Sequence, residues 1–195
     1  MKRILKMILT QIIPFYSAYL VFKESKQQSS YLEYLKYHLG FINRSFPAHR
    51  NCLVANPKHI KVGVNCLIGR PGVYLQGAGG IVFGDYVQLA PNVGILSANH
   101  DLYDQTKYNN KKISIGDYSW VGMNSVITAG VELGPRTIVA AGSSVTKSFP
   151  EGYCVIGGTP AKLIKKLDKK RFKPWKDKVE YYGFIRANEY NKSDT

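Results

Sequence analysis

The run Ile115-Gly116-Asp117-Tyr118-Ser119-Trp120, Val121-Gly122-Met123-Asn124-Ser125-Val126, Ile127-Thr128-Ala129-Gly130-Val131-Glu132, Leu133-Gly134-Pro135-Arg136-Thr137-Ile138, Val139-Ala140-Ala141-Gly142-Ser143-Ser144, closing on Val145, decides how this chain folds. An aliphatic residue opens every block of six. The next position is small in most blocks (Gly116, Gly122, Thr128, Gly134, Ala140), and the fifth is small or β-branched (Ser119, Ser125, Val131, Thr137, Ser143). A period of six fits neither an amphipathic helix nor an alternating strand. It fits a short strand and a tight corner, wound three times per triangular coil, with the aliphatic side chain inside and a small residue where the backbone turns. Phe83, Leu89 and Ile95 extend the series upstream, with Val87 and Val93 in the matching place. Val62-Gly63 and Ile68-Gly69 are fainter traces, and the phase is lost near Gln76-Gly77-Ala78-Gly79-Gly80. The expected fold is an all-β solenoid, a parallel β-helix.

The pattern divides the chain. Residues 60–155 form the β-helix, residues 1–59 precede it as a helical extension, and residues 156–195 follow as a closing helix and basic tail. Gly157-Gly158-Thr159-Pro160 ends the solenoid, and Ala161 to Leu167 read as the closing helix. Ile95 and Ile115 lie twenty residues apart, two more than three hexads. The polar stretch 97–112 between them therefore loops out of the coil wall, where insertions cost little and functional residues collect.

At 195 residues and 45% hydrophobic content, the chain has enough apolar material for one sizeable core. The net charge of +14 is uneven: residues 1–62 carry ten basic residues against two acidic, residues 63–164 seven against six, and residues 165–195 ten against five. The middle is nearly neutral and the flanks are basic. No nucleic-acid-binding motif organises them, so an anionic membrane surface or a phosphate-rich cofactor is the expected partner, not a nucleic acid. Cys52, Cys66 and Cys154 form no CxxC pair and point to a reducing, cytoplasmic compartment. From Ile4 to Phe22 the chain is apolar but interrupted. Wound as a helix, Lys2, Lys6, Thr10 and Ser17 fall on one polar stripe opposite Ile4, Ile8, Ile12, Phe15 and Tyr19. That favours a helix lying peripherally on the inner membrane face over a spanning one, with packing on the protein itself as the alternative.

Five segments carry a resemblance. They are Leu89-Ala90-Pro91-Asn92-Val93, then His100-Asp101, Ile115 through Gly122, Ala141-Gly142-Ser143-Ser144-Val145-Thr146-Lys147, and Gly158-Thr159-Pro160-Ala161-Lys162. In that order they resemble the hexapeptide-repeat acyltransferases, and among these the galactoside, maltose and polysaccharide O-acetyltransferases, over about residues 60–167. The resemblance implies a left-handed β-helix, a homotrimer and acetyl-CoA as acyl donor, with no metal. It implies His100 as general base, a role suited to histidine because its ordinary pKa lies near neutrality, with Asp101 orienting the imidazole or capping the loop. It places Trp120 along the pantetheine or acetyl end, Ala141 and Gly142 beside the pantetheine arm, and Thr146, Lys147, Lys162 and Lys165 toward the nucleotide. Arg70 falls where galactoside-type enzymes carry an acceptor-binding asparagine; with Asn99 it is the expected acceptor contact. The acceptor expected is a saccharide hydroxyl of a surface polysaccharide or its precursor. An amino sugar or a serine hydroxyl is the alternative, and a zinc lyase or a non-enzymatic solenoid on the same fold remains open. A zinc lyase needs three converging histidines, yet His38, His49 and His59 precede the regular repeats.

Overall fold

The computed structural model describes residues 14–24 and 30–190. Its body is a parallel β-helix whose three faces alternate along the chain. The first face stacks Leu53–Ala55, Tyr74–Gln76, Gly94–Leu96, Val126–Ile127 and Ser144–Val145. The second stacks Ile60–Lys61, Ile81–Phe83, Ile113–Ile115 and Glu132–Leu133. The third stacks Gln88–Leu89, Trp120–Val121, Thr137–Val139 and Cys154–Gly158, and a bridge from Leu67 to Gln88 extends it by one coil. The solenoid thus opens at Leu53, ahead of residue 60, because Val54 already packs on its core while the 3-10 turn Pro57–His59 hides the phase.

The hexad rule has a direct physical content here. Ile115, Val121, Ile127, Leu133, Val139 and Val145 are all buried in one core with Phe83, Leu89 and Ile95. The small residue that follows sits where successive coils touch: a Cβ on Gly116 would come within 2.5 Å of the Pro135 nitrogen, and one on Gly134 within 2.1 Å of the Pro150 carbonyl oxygen. At Ser119, Ser125, Thr137 and Ser143 the fifth position is a buried hydroxyl, and these hydroxyls tie the coils together. Ser125 Oγ donates to the Ala140 carbonyl (3.0 Å) and accepts from the Ser143 amide (3.2 Å); Ser119 does the same for the Gly134 carbonyl and the Thr137 amide. Every buried backbone group in such a corner needs a partner, and these hydroxyls supply it.

The longest additions fall at the passage from first face to second: Leu75 to Phe83 spans eight residues and Ile95 to Ile115 twenty, where Ile127 to Leu133 spans six, and Val54 to Ile60 runs in register with Leu75 to Ile81. One further residue is added between Leu67 and Leu75, at the vertex from third face to first. At the second-to-third vertex a different column forms. Asn65, Tyr86, Tyr118, Arg136 and Tyr153 all have positive φ, between 45° and 57°. Such a backbone costs a non-glycine residue about 1–2 kcal/mol, and here the side chains are held by contacts. Tyr86 and Tyr118 stack in parallel at 5.0 Å, and Phe172 and Trp175 of the tail close edge-on over them.

The C-terminal segment departs from the expected helix. Ala161–Lys166 is a strand, antiparallel to Cys154–Gly158. The last strand of the third face would otherwise leave a row of unpaired backbone groups, and a lysine-rich strand both pairs and guards that edge. After the 3-10 turn Lys169–Arg171 the chain runs back along the tyrosine column. The Tyr118 hydroxyl donates to the Trp175 carbonyl (2.9 Å), the Asp177 amide donates to the Tyr86 hydroxyl (3.1 Å), and Asn65 accepts the Tyr181 amide (2.8 Å). The strap ends against helices α1 (Pro14–Glu24) and α2 (Tyr31–His38), where Ala18, Tyr34, Tyr181 and Phe184 form a second core. In the described part of the apolar N-terminal stretch, Ala18 and Leu20 are buried. Residues 1–13, where most of the expected membrane-facing stripe falls, lie outside the described residues. Among the described residues no helix is long and apolar enough to cross a membrane.

Candidate active site

The inserted stretch of the third coil is a β-hairpin, Ala98–His100 paired antiparallel with Tyr108–Asn110. Its root is built from residues that the hexad rule passes over. Ser97 is fully buried; its Oγ donates to the Gln76 carbonyl (2.6 Å) and accepts from the Gly79 amide (2.9 Å). The Gln76 side chain accepts from the Ala98 amide (2.8 Å). Gly79 must be glycine, since a Cβ would lie 2.2 Å from the Ser97 carbonyl oxygen. The glycine-rich break at Gln76 to Gly80 is therefore the seat of the hairpin.

His100 is exposed at the end of the first hairpin strand. Its Nδ1 lies 2.8 Å from the Gln105 carbonyl, and its ring rests on Tyr108 at 4.5 Å. A carbonyl only accepts, so Nδ1 carries the hydrogen in the neutral imidazole and Nε2 is left with the lone pair. The side chain is thereby held in the tautomer of a base.

Asp101 does not orient it. One carboxylate oxygen accepts from the amides of Tyr103 (2.9 Å) and Asp104 (3.1 Å), the other from the Asn109 side chain (3.2 Å). These bonds, the Tyr103 amide foremost, hold its pKa below the ordinary carboxylate value. The expected orienting role falls to the Gln105 carbonyl, because two convergent turn amides are better partners for a carboxylate than a neighbouring ring. Asn99 is exposed on the same strand and pairs in register with Asn109.

The remaining predicted residues divide by vertex and face. Thr146 and Lys147 are exposed where the last coil leaves the first face, on the vertex that carries the hairpin. Trp120 is half-exposed on the outer side of the third face, beside Gln88 and Ile138. Lys162 and Lys165 are exposed on the closing strand of that face, opposite Gly157 and Val155. Ala141 and Gly142 lie exposed at the vertex from third face to first, and nothing would meet a Cβ on Gly142. Arg70 stands at that same vertex in an earlier coil, where the structure does not bring it to His100. In a triangular prism the first–second vertex is opposite the third face, so His100 and Trp120 of one protomer point to opposite sides.

No cysteine offers a competing nucleophile. Burial pushes the Cys66 thiol up to about 12 and Cys52 up to about 11, and it raises Cys154 as well, so all three stay protonated near neutral pH. Among the described residues no three His, Cys, Asp or Glu side chains gather into a metal-binding group.

Comparison with known proteins matches residues 112–147 to the bacterial transferase hexapeptide family (six repeats). A galactoside O-acetyltransferase of Lactococcus lactis is 30% identical over 135 residues, covering 64% of this chain and 65% of that protein. A crystallised hexapeptide-repeat containing acetyltransferase of Vibrio cholerae is 30% identical with a TM-score of 0.58, over 78% of this chain and 89% of that one. Its acetyl-CoA complex superposes with a TM-score of 0.61 at 28% identity, over 80% of this chain and 88% of that one. A maltose O-acetyltransferase of Clostridium difficile is 27% identical with a TM-score of 0.62, over 79% of this chain and 86% of that one. The chain spans about three fifths of the length of the curated relatives it matches.

Proposed function

The chain belongs to the hexapeptide-repeat transferases, and from that premise we propose that it transfers an acetyl group from acetyl-CoA to a saccharide hydroxyl, with His100 as the base. The observation that carries this reading is the fixed tautomer: Gln105 holds Nδ1, and Nε2 is presented on the hairpin inserted in the third coil. Nε2 takes the hydroxyl proton as the oxygen attacks the thioester carbon. The tetrahedral adduct then collapses, the C–S bond breaks, and the thiolate recovers that proton from the imidazolium. The residues present suit the donor's chemistry. Trp120 and Ile138 offer an apolar track along the third face, and Lys162 and Lys165 offer charge for phosphates at its end.

The division of these groups between a vertex and the opposite face favours a homotrimer. In that assembly the hairpin vertex of one protomer, with His100, Thr146 and Lys147, closes on the third face of the next. A monomeric mass with full activity would refute it. The basic flanks suit a cytoplasmic protein working at the inner membrane face on a polysaccharide precursor.

The deciding assay incubates the protein with acetyl-CoA and a panel of mono- and oligosaccharides while free thiol is followed. His100→Ala should lower the transfer rate by roughly 10²–10⁴-fold, the contribution of a positioned general base, with acetyl-CoA affinity unchanged. Wild-type turnover by His100→Ala on a confirmed acceptor would end the assignment.

A further inference from the structure

The outer side of the third face is an ordered track. Lys162 and Lys165 stand at one end, Val155 and Ile138 follow, then Trp120, then Gln88 and Leu67. Strands lie about 4.8 Å apart, so Trp120 is about 10 Å from the last parallel strand and Gln88 one strand further. At that far end the track runs into a cleft of about 470 Å³, walled on one side by Leu67 and Gln88 and on the other by the C-terminal strap through Trp175, Asp177 and Tyr181, with Tyr86 between.

Two features of this cleft are unlike the rest of the strap contact. Most polar groups there are consumed in holding the strap: Asn65 bonds Asp177, the Val179 carbonyl and the Tyr181 amide, and the Tyr86 hydroxyl donates to Glu180 while accepting from the Asp177 amide. Gln88 is different. It is half-buried, its side chain makes no hydrogen bond to another described residue, and it is the in-register neighbour of Trp120. A half-buried amide in a cleft is an unfilled donor and acceptor. The second feature is Trp175. Its ring is wedged at 4.9 Å from Tyr118 and 5.9 Å from Tyr86, yet it remains 41% exposed. An immobilised indole offers a flat apolar surface to the C–H face of a sugar ring, and the amide beside it matches adjacent hydroxyls.

We infer that the acceptor's sugar ring binds in this cleft, on Trp175 and Gln88, so that the chain's own C-terminal strap is part of the acceptor site. This rests on the proposed transferase reading, which lays the pantetheine or acetyl end of the donor along Trp120. The donor then lies along the face from the lysines to Trp120, and the acceptor enters from the opposite end of the same track.

The chain has two tryptophans, Trp120 and Trp175, so Trp120→Phe leaves Trp175 as the sole indole reporter. Titrating that variant with maltose, methyl galactoside and N-acetylglucosamine should give a saturable change in Trp175 emission with at least one of them. No change with any sugar that the wild-type protein acetylates would overturn the inference. In steady-state assays Gln88→Leu should raise the acceptor KM about tenfold, the loss of one net hydrogen bond, and leave the acetyl-CoA KM and the saturated rate near normal. Trp175→Ala should act in the same direction, with thermal melting reporting any loosening of the strap. Gln88 sits on the rigid solenoid, so its variant reads binding even if the tryptophan variant softens the tail. An unchanged acceptor KM in Gln88→Leu sinks the inference while sparing the transferase reading. Failure of the wild-type protein to acetylate or bind any saccharide sinks both.

Discussion

Replacing Ser97 by Ala should loosen the His100 hairpin without unfolding the solenoid beneath it. The Ser97 hydroxyl makes two bonds, to the Gln76 carbonyl and from the Gly79 amide. The carbonyl keeps a partner after truncation, because it also accepts from the Ser97 amide at 3.1 Å. One half-buried donor, the Gly79 N–H, is orphaned, at a cost of about 1–3 kcal/mol. The cost falls locally, since the hairpin is joined to the coil only at its root. Amide exchange at Lys111, bonded to the Ser97 carbonyl, and at Asp101, bonded to the Lys107 carbonyl, should accelerate by roughly 5–150-fold, at 1.4 kcal/mol per decade. Ser125→Ala is the matched control. It orphans the Ser143 amide in the same way, while the Ala140 carbonyl keeps its bond from Ser143 Oγ at 2.6 Å. That site is inside a continuous coil, so the same cost should appear as a fall in Tm of about 2–12 °C. Equal protection of the hairpin amides in Ser97→Ala and wild type, or a uniform loss across all coils, would refute the reasoning.

Lys162→Ala should weaken acetyl-CoA binding, most visibly as a reduced salt dependence of its Kd, while the rate at saturation stays near normal. The native protein should resist iodoacetamide at pH 8. The raised thiol pKa values also imply a stability contribution present below the ordinary value of 9.0 and lost as pH climbs toward 11–12, so alkylation of three thiols should appear only on denaturation. Deleting residues 1–13 should abolish binding to phosphatidylserine-containing vesicles in a flotation assay and leave acetyl-CoA affinity unchanged; loss of solubility instead would assign that segment to packing.

What the sequence made legible follows from what a solenoid repeats. Each interior aliphatic and each corner glycine meets the same environment one coil later, so Ile115 to Val145 announce their own geometry. The end of the solenoid has no such neighbour. Ala161 to Leu167 has the local composition of a helix, and only the open edge of Cys154–Gly158 makes it a strand. Asp101 was ambiguous because its partners, the amides of Tyr103 and Asp104, exist only once the hairpin has turned. The tyrosine column left a trace that the hexad reading overlooked: Gly-Asp-Tyr occurs at Gly84 and again at Gly116, one coil apart. In each the tyrosine takes the left-handed backbone and the aspartate caps the preceding coil, Asp85 accepting from Val64 and Asp117 from Asp85, both at 2.8 Å.

These placements share one constraint. A coil is hydrogen-bonded above and below along its faces, so chain can be added only at a vertex without breaking the stack. Here the three longest additions use the first–second vertex, the strap occupies the second–third vertex, and the third face runs uninterrupted from Leu67 to the closing strand. A long donor needs such a continuous surface, and a catalytic side chain that must reach off the surface needs the vertex. One prism cannot turn its vertex toward its own opposite face. In the homotrimer proposed above, chemistry divided in this way is completed when a second copy brings its hairpin to the track, and dilution below the dissociation constant should then abolish transfer while leaving the fold of each protomer intact.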